Sequence, residues 1–388
     1  MAARVNGGSL RTFPWWRWAV SVTMTAAACL TAVELSLGVG EWWRARAARV
    51  GGIARLSAYA PFTRQYLHPF YYFFFTQDPA QLQRMNNAIV SVDAHGYRGP
   101  GPERRGRRKL AFLLGGSAAF GYGSSSDATT ISGYLNQLQD DYHVVNAGVP
   151  SWSSTQEFAR LAHQLLQERP QVVIVYDGFN DAIVSYHYAR LGKQYPSGTP
   201  ESYEYLEEQV HDIRAQHLVR VDLRRLRQAM FPRIRKALRA MLRADGSLAH
   251  AAHAGSPGSA PSDALVATAR EAALAYRRNV DLMSRLSSAS GIRLIACWQP
   301  TLLQHHHLTT EAERLMPAEA GDGAFTAFLR EFHRAAMAAP RDGVALVDLS
   351  DLFDRHERMP FLDQVHLSDD GNELVARELL RYLRGEGS

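Results

Sequence analysis

Residues 109–123 read KLAFLLGGSAAFGYG: five apolar side chains in succession, Leu110–Leu114, then two glycines, Ser117 and a further glycine-rich turn. A short uninterrupted apolar run closed by glycine reads as a strand buried on both faces, which points to a parallel sheet covered by helices. Ser117 then emerges at the carboxyl end of a central strand, the edge where open α/β sheets place their ligands. Taken alone, Gly-Gly-Ser fits a loop or capping serine equally well. A phosphate-cradling loop is disfavoured, because no Gly-Lys-Ser/Thr follows.

The same pattern continues outward from this stretch. Further apolar runs lie at His143–Ala147, Val172–Tyr176, Ile292–Ala296 and Val344–Asp348. Segments with helical spacing separate them, at Thr130–Leu138, Thr155–Gln167, Asp263–Leu286 and Phe325–Ala338. Strands alternating with helices predict an α/β sandwich occupying residues 108–388. An insertion at about residues 187–262 interrupts it. Within the insertion, Leu218, Leu226, Met230, Ile234, Leu238 and Leu242 mark one helical face and arginines supply much of the rest, which fits either a packed helix or a lid over substrate or membrane.

Three further blocks carry chemistry-bearing residues. In NAGVPSWSS, Asn146 ends a strand and Gly148 permits a turn that would leave its N–H facing outward. In VIVYDGFND, Asn180 follows a buried strand, where a side-chain amide can donate to a developing oxyanion. In FLDQVHLSDDGNELVARELLRYL, Asp363 lies three residues before His366, a spacing that can bring a carboxylate to Nδ1 while Nε2 faces elsewhere. As an isolated pair, these two residues fit a metal site or a plain surface equally well.

Taken in order, the four blocks resemble those of the SGNH/GDSL hydrolase superfamily, over roughly residues 108–183 and 264–385. The resemblance implies a flavodoxin-like three-layer sandwich around a five-stranded parallel sheet. It also implies a serine esterase with Ser117 as nucleophile, His366 as base and Asp363 as orienting acid, and an oxyanion hole from Ser117 N–H, Gly148 and Asn180. One departure is visible: the first block usually reads Gly-Asp-Ser, and Gly116 stands in place of the Asp. The upstream HGYRGP, His95–Pro100, is similar to the lead-in of membrane-tethered bacterial members. An acyl-enzyme can pass its acyl group to water or to a sugar hydroxyl, so O-acyl transfer to an envelope polysaccharide is the alternative activity. A carbohydrate-binding pseudoenzyme is the non-catalytic one.

No cofactor or metal is expected. The run His305–His307 invites a zinc reading, but adjacent positions cannot easily share a tetrahedral ion and no Cys or carboxylate motif completes the set.

The N-terminal part has a different character. Trp18–Val39 is an almost wholly apolar stretch of about the length that crosses a hydrocarbon core, with Trp15, Trp16, Trp42 and Trp43 at its edges. Residues 1–43 are therefore expected to be a cytoplasmic tail and a single inner-membrane anchor, with the catalytic domain periplasmic or extracellular. Arg4, Arg11 and Arg17 precede the segment and Arg44, Arg46 and Arg49 follow it, so charge leaves the orientation undecided. Ala26 and Ala28 keep a cleaved signal peptide open as the rival. Residues 44–107 read as an irregular, aromatic-rich lead-in, whose run Phe70–Phe75 suits packing on the catalytic domain better than insertion into a membrane interface.

Composition sets the outer limits. In 388 residues, 46% hydrophobic side chains suffice for a full core, which excludes disorder throughout. The net charge of +5 comes from arginine-rich runs and suits an anionic membrane surface or an acidic polymer, while no nucleic-acid-binding motif is present. The two cysteines, Cys29 and Cys297, fall in such different settings that a disulfide between them is not expected. The expected partners are an ester-bearing small molecule, glycan or lipid, and the membrane.

Overall fold

The computed structural model describes residues 57–76, 78–190, 263–304, 323–338, 346–354, 356 and 360–386. The expected anchor, the 191–262 part of the insertion and His305–His307 lie outside the described residues. Among those described, no helix is long and apolar enough to cross a membrane.

A 3-10 turn at Ser57–Thr63 leads into the hairpin β1 (Tyr66–His68) and β2 (Tyr72–Phe74), followed by α1 (Pro79–Met85). The main body then runs β3 (Lys109–Gly115), α2 (Ser117–Phe120), α3 (Ile131–Leu138), β4 (Tyr142–Asn146), α4 (Ser154–His163), β5 (Val172–Asp177) and α5 (Phe179–Arg190). After the insertion come α6 (Asp263–Ala289), β6 (Arg293–Trp298), α7 (Gly323–Ala338), β7 (Leu346–Asp348) and α8 (Asp369–Arg384).

The five main strands pair in parallel in the order β4-β3-β5-β6-β7. The chain steps one way from β3 to β4 and the other way ever after. With right-handed crossovers, that reversal puts the connecting helices on opposite faces. Accordingly α6 packs on α4, α5 and α7, while α8 packs on α3. Strands β3 and β5, covered on both faces, are buried throughout apart from the leading Lys109. The expected α/β sandwich with a parallel five-stranded sheet is the observed one.

The boundaries differ from the sequence reading in physically readable places. The helix expected over Thr155–Gln167 ends at His163 and passes into a 3-10 turn, Leu165–Glu168. Pro170 lies just beyond, and a proline disfavours helical backbone in the residue before it. Arg169, the residue in question, turns left-handed with φ 51°.

The lead-in is less irregular than its sequence suggests. Tyr59, Phe62, Tyr71, Phe73, Phe74, Phe75, Leu82, Val90 and Val92 form a second core, closed by Phe120, Val149 and Trp152 of the main body. Trp152 Nε1 donates to Phe73 O at 3.1 Å, so the indole is satisfied by the segment it packs against. Phe70 alone of the run's described side chains stays exposed.

Two buried arginines join the layers. Arg98 donates to Phe120 O at 2.9 Å, Gly121 O at 2.8 Å and Ile89 O at 3.1 Å, and pairs with Asp127 at 2.8 Å. Arg160 donates to Ala147 O at 2.8 Å and to His95 O at 3.0 Å, among the rings of Phe74, Tyr97 and Trp152. A guanidinium has five donors and no acceptor, so clustered carbonyls and ring faces can hold it in the interior.

Candidate active site

The reversal of sheet order opens a crevice at the carboxyl ends of β3 and β5. Ser117 begins α2 directly after β3, and Asn180 lies in the first turn of α5 directly after β5. The turn from β3 into α2 is tight. A Cβ at Gly116 would lie 2.3 Å from Asn180 Nδ2 and 3.1 Å from Trp152 O. In this structure the Asn180 amide occupies the space that a side chain at position 116 would need.

The third strand-end group arrives from the far end of the chain. Pro360 O accepts from Ser368 N–H, and Leu362 N–H donates to His366 O, both at 2.7 Å, closing a tight loop ahead of α8. Asn372 of α8 donates to Ser124 Oγ at 3.0 Å and Thr129 O at 3.1 Å, fixing that loop against the segment following Ser117. His366 Nε2 then lies 2.7 Å from Ser117 Oγ, and Nδ1 lies 2.6 Å from Asp363 Oδ2.

Chemistry assigns the protons. A carboxylate at Nδ1 requires the hydrogen there, leaving Nε2 to accept from the serine hydroxyl. Asp363 Oδ1 meanwhile accepts the N–H groups of Val365 at 2.9 Å and His366 at 2.8 Å. Burial pulls the Asp363 carboxyl upward, but the His366 contact and these two backbone donors outweigh it and hold it below the ordinary aspartate range. The pair stays partly open to solvent, with the His366 side chain 17% exposed and that of Asp363 35%.

Asn180 Nδ2 donates to Trp152 O at 2.6 Å. An amide nitrogen carries two hydrogens, so this bond orients the group and leaves its second N–H for another acceptor. The N–H of Ser117, at the start of α2, has no intrahelical acceptor either. Ser117, Asp363, His366 and Asn180 are thus brought to one edge.

Gly148 is a correction. Its N–H, expected to face outward, donates to Asn146 Oδ1 at 3.0 Å. Asn146 in turn donates through Nδ2 to Ala119 O at 2.9 Å, so the asparagine bridges the β4 exit and α2. Glycine is needed at 148 for close approach: a Cβ there would sit 2.4 Å from Phe120 N.

Two features escaped the sequence reading. Tyr122 lies over His366 with ring centroids 4.6 Å apart and is itself backed by Tyr59 at 4.7 Å. Burial and the nearby Asp363 charge push its phenol up. The only signal was an aromatic between two glycines, Gly121-Tyr122-Gly123. The other is Ser151, a non-glycine residue at φ 69° beside Trp152, in a backbone region that bulkier residues rarely enter.

A parallel sheet of this order, with a hydrogen-bonded Asp, His and Ser at its switch point, defines an α/β enzyme architecture with a serine at a strand-to-helix turn. The chain belongs to the GDSL-like lipase/acylhydrolase family, whose pattern it matches over residues 113–374, more than half its length. It is an ester-hydrolysing enzyme. Similar solved structures include the acetyl xylan esterase AlAXEase, 12% identical with a TM-score of 0.35, covering 71% of this chain and 99% of that one. Another is LAE5, an α/β hydrolase from the metagenome of Lake Arreo, 12% identical with a TM-score of 0.38, covering 72% and 97%. A third is a catalytic mutant of the acetylxylan esterase Axe2 from Geobacillus stearothermophilus, 13% identical with a TM-score of 0.34, covering 70% and 93%. No curated protein matches the chain significantly.

Proposed function

We propose that the chain cleaves carboxylic esters through an acyl-enzyme on Ser117. The observation that carries this reading is the continuous contact from Asp363 through both His366 nitrogens to Ser117 Oγ, at 2.6 and 2.7 Å. Ser117 Oγ attacks the ester carbonyl carbon while its proton passes to His366 Nε2. Asp363 holds the ring's tautomer and stabilises the imidazolium. The oxyanion takes hydrogen bonds from the second Asn180 amide hydrogen and from Ser117 N–H, without Gly148. The alcohol leaves with the proton from His366, and a water activated by the same nitrogen releases the acid.

The substrate we propose is an ester on a cell-envelope glycan or lipid, reached by an enzyme held to the inner membrane through Trp18–Val39 with its catalytic domain outside the cytoplasm. That tether is supported by the length and apolarity of the segment and by the tryptophans at its edges. Deleting residues 1–43 should move the protein from the membrane fraction to the soluble one. Recovery of the intact chain in the soluble fraction would count against it.

The activity itself is tested with short p-nitrophenyl esters, with and without oligosaccharide acceptors. Ser117→Ala should lower kcat on the order of 10⁶-fold with the fold retained. Free acid as the product supports hydrolysis, and an acceptor-dependent acylated sugar would replace it with transfer. Sugar binding without turnover by the intact protein would sink the catalytic reading.

A further inference from the structure

Behind the active-site edge lies a cluster of carboxyl groups that the reaction above does not use. Glu157, in the first turn of α4, is fully buried, Asp177 at the end of β5 is 2% exposed, and Asp181 of α5 is fully buried. The Glu157 and Asp177 carboxyl groups lie close enough to interact, and both Glu157 oxygens and Asp177 Oδ2 are buried without a hydrogen-bond partner. Asp177 Oδ1 accepts the Tyr276 hydroxyl at 2.7 Å. Among the described residues, no Lys, Arg or His pairs with Glu157 or Asp177.

Two neighbouring carboxylate charges left uncompensated in a dry interior cost far more than one held proton. The surroundings offer no other relief. From α5 the pair faces Asp181, from α6 Tyr276, and from β6 the buried thiol of Cys297. Arg277 of α6 is directed to Asp281, and Arg160 of α4 to the carbonyls of Ala147 and His95. Burial first, then the charges of Asp177 and Asp181, push the Glu157 carboxyl well up, and burial raises Asp177 as well.

We infer that Glu157 and Asp177 hold one proton between them and that this pair positions Asn180, an inference that rests on the ester-cleaving role proposed for that residue. Tyr276 donates to Asp177, which places the charge on Asp177 and the proton on Glu157. Asp177 lies just ahead of Gly178 and Asn180. Asp181 follows directly, its Oδ2 accepting Ser154 N–H at 3.0 Å and its Oδ1 the Ser154 hydroxyl at 2.6 Å. Asn279 of α6 donates to Ser154 Oγ at 2.9 Å and so holds that hydroxyl in turn. Asn180 is therefore registered to the beginning of α4 on both flanks, by Glu157 through Asp177 and by Ser154 through Asp181. Its own amide meets Trp152 O, two residues ahead of the same helix. Ionising Glu157 would set like charges against each other and release one flank.

The test compares the purified full chain with Glu157→Gln, whose amide can replace the carboxylic proton, and with Glu157→Ala, which cannot. A retained proton raises the folded-state pKa, so its stabilisation is complete below the unfolded value and declines as pH rises toward the folded one. From about pH 5 upward, the wild-type folding constant should fall relative to that of Glu157→Gln by about tenfold per pH unit. Parallel curves would overturn the shared proton. For positioning, Glu157→Ala should lower kcat about tenfold with KM little changed, part of the roughly 10²–10³-fold cost of losing an oxyanion donor, and Glu157→Gln should recover most of it. A folded Glu157→Ala protein with wild-type kcat would overturn that role. Should the alanine variant not fold, Tyr276→Phe removes the other donor to Asp177 and should lower kcat in the same way, an unchanged kcat again overturning it. The pH comparison reads unfolding alone, so it stands apart from any failure of the esterase reading at Ser117.

Discussion

Charged side chains flank the Ser117 turn on two sides, and the molecule treats them in opposite ways. Arg98 and Arg160 are 2% and 0% exposed, and most of their donors go to backbone carbonyls around the Ser117 turn: Phe120 and Gly121 after it, and Ala147 at the exit of β4. Asp363 and His366 sit across the turn, partly open to solvent, and their hydrogen bonds form a directed chain that ends on one hydroxyl. A charge whose donors are consumed by the fold holds shape. A charge whose last hydrogen bond reaches a half-buried hydroxyl at the strand edge is available for chemistry.

Substitutions on the two sides should therefore separate activity from stability. Asp363→Asn keeps the size of the side chain but loses control of the His366 tautomer, and is expected to lower kcat by about 10⁴-fold with little change in fold. Ester turnover per folded molecule checks this. Arg160→Met should do the reverse: it strands the carbonyl of Ala147 in the interior, costing about 1–3 kcal/mol, while turnover per folded molecule changes far less. Urea titration would measure that loss, and a stable variant with lost turnover would erase the contrast.

The smallest expected effect is a pH dependence on the exposed side. The Asp363 carboxyl is lower in the folded state than in the unfolded chain, so it contributes stability above the unfolded value of about 3.9, and that contribution is lost as pH falls through the folded value. The stability gap between wild type and Asp363→Asn should close on acidification below about pH 4, as followed by urea midpoints. A gap that widens there would show that the carboxyl is not held down by its partners.

How far the sequence carried this picture follows from where each feature gets its information. Strands β3 and β5 were legible because burial on both faces leaves an unbroken apolar run, and the Ser117, Asn180, Asp363 and His366 positions because each lies at a strand end or a fixed short spacing. The hairpin β1–β2 was not, since three-residue strands inside an aromatic run carry no alternation. The Gly148 N–H was misread because its direction depends on the side chain of Asn146, two residues earlier. Glu157 drew no attention, since an acidic residue in a first helical turn reads as ordinary favourable pairing with the helix dipole. Its burial comes from α6, more than a hundred residues away. Most partners of Arg98 and Arg160 are backbone carbonyls, which no residue type announces.

The central claim is that Ser117 is activated by His366, and a fluorophosphonate probe tests it most directly. The intact protein should take up a single adduct, mapped by mass spectrometry to Ser117, with labelling abolished in Ser117→Ala and strongly slowed in His366→Ala. Labelling of Ser117→Ala at the wild-type rate, or equal rates in wild type and His366→Ala, would contradict the account.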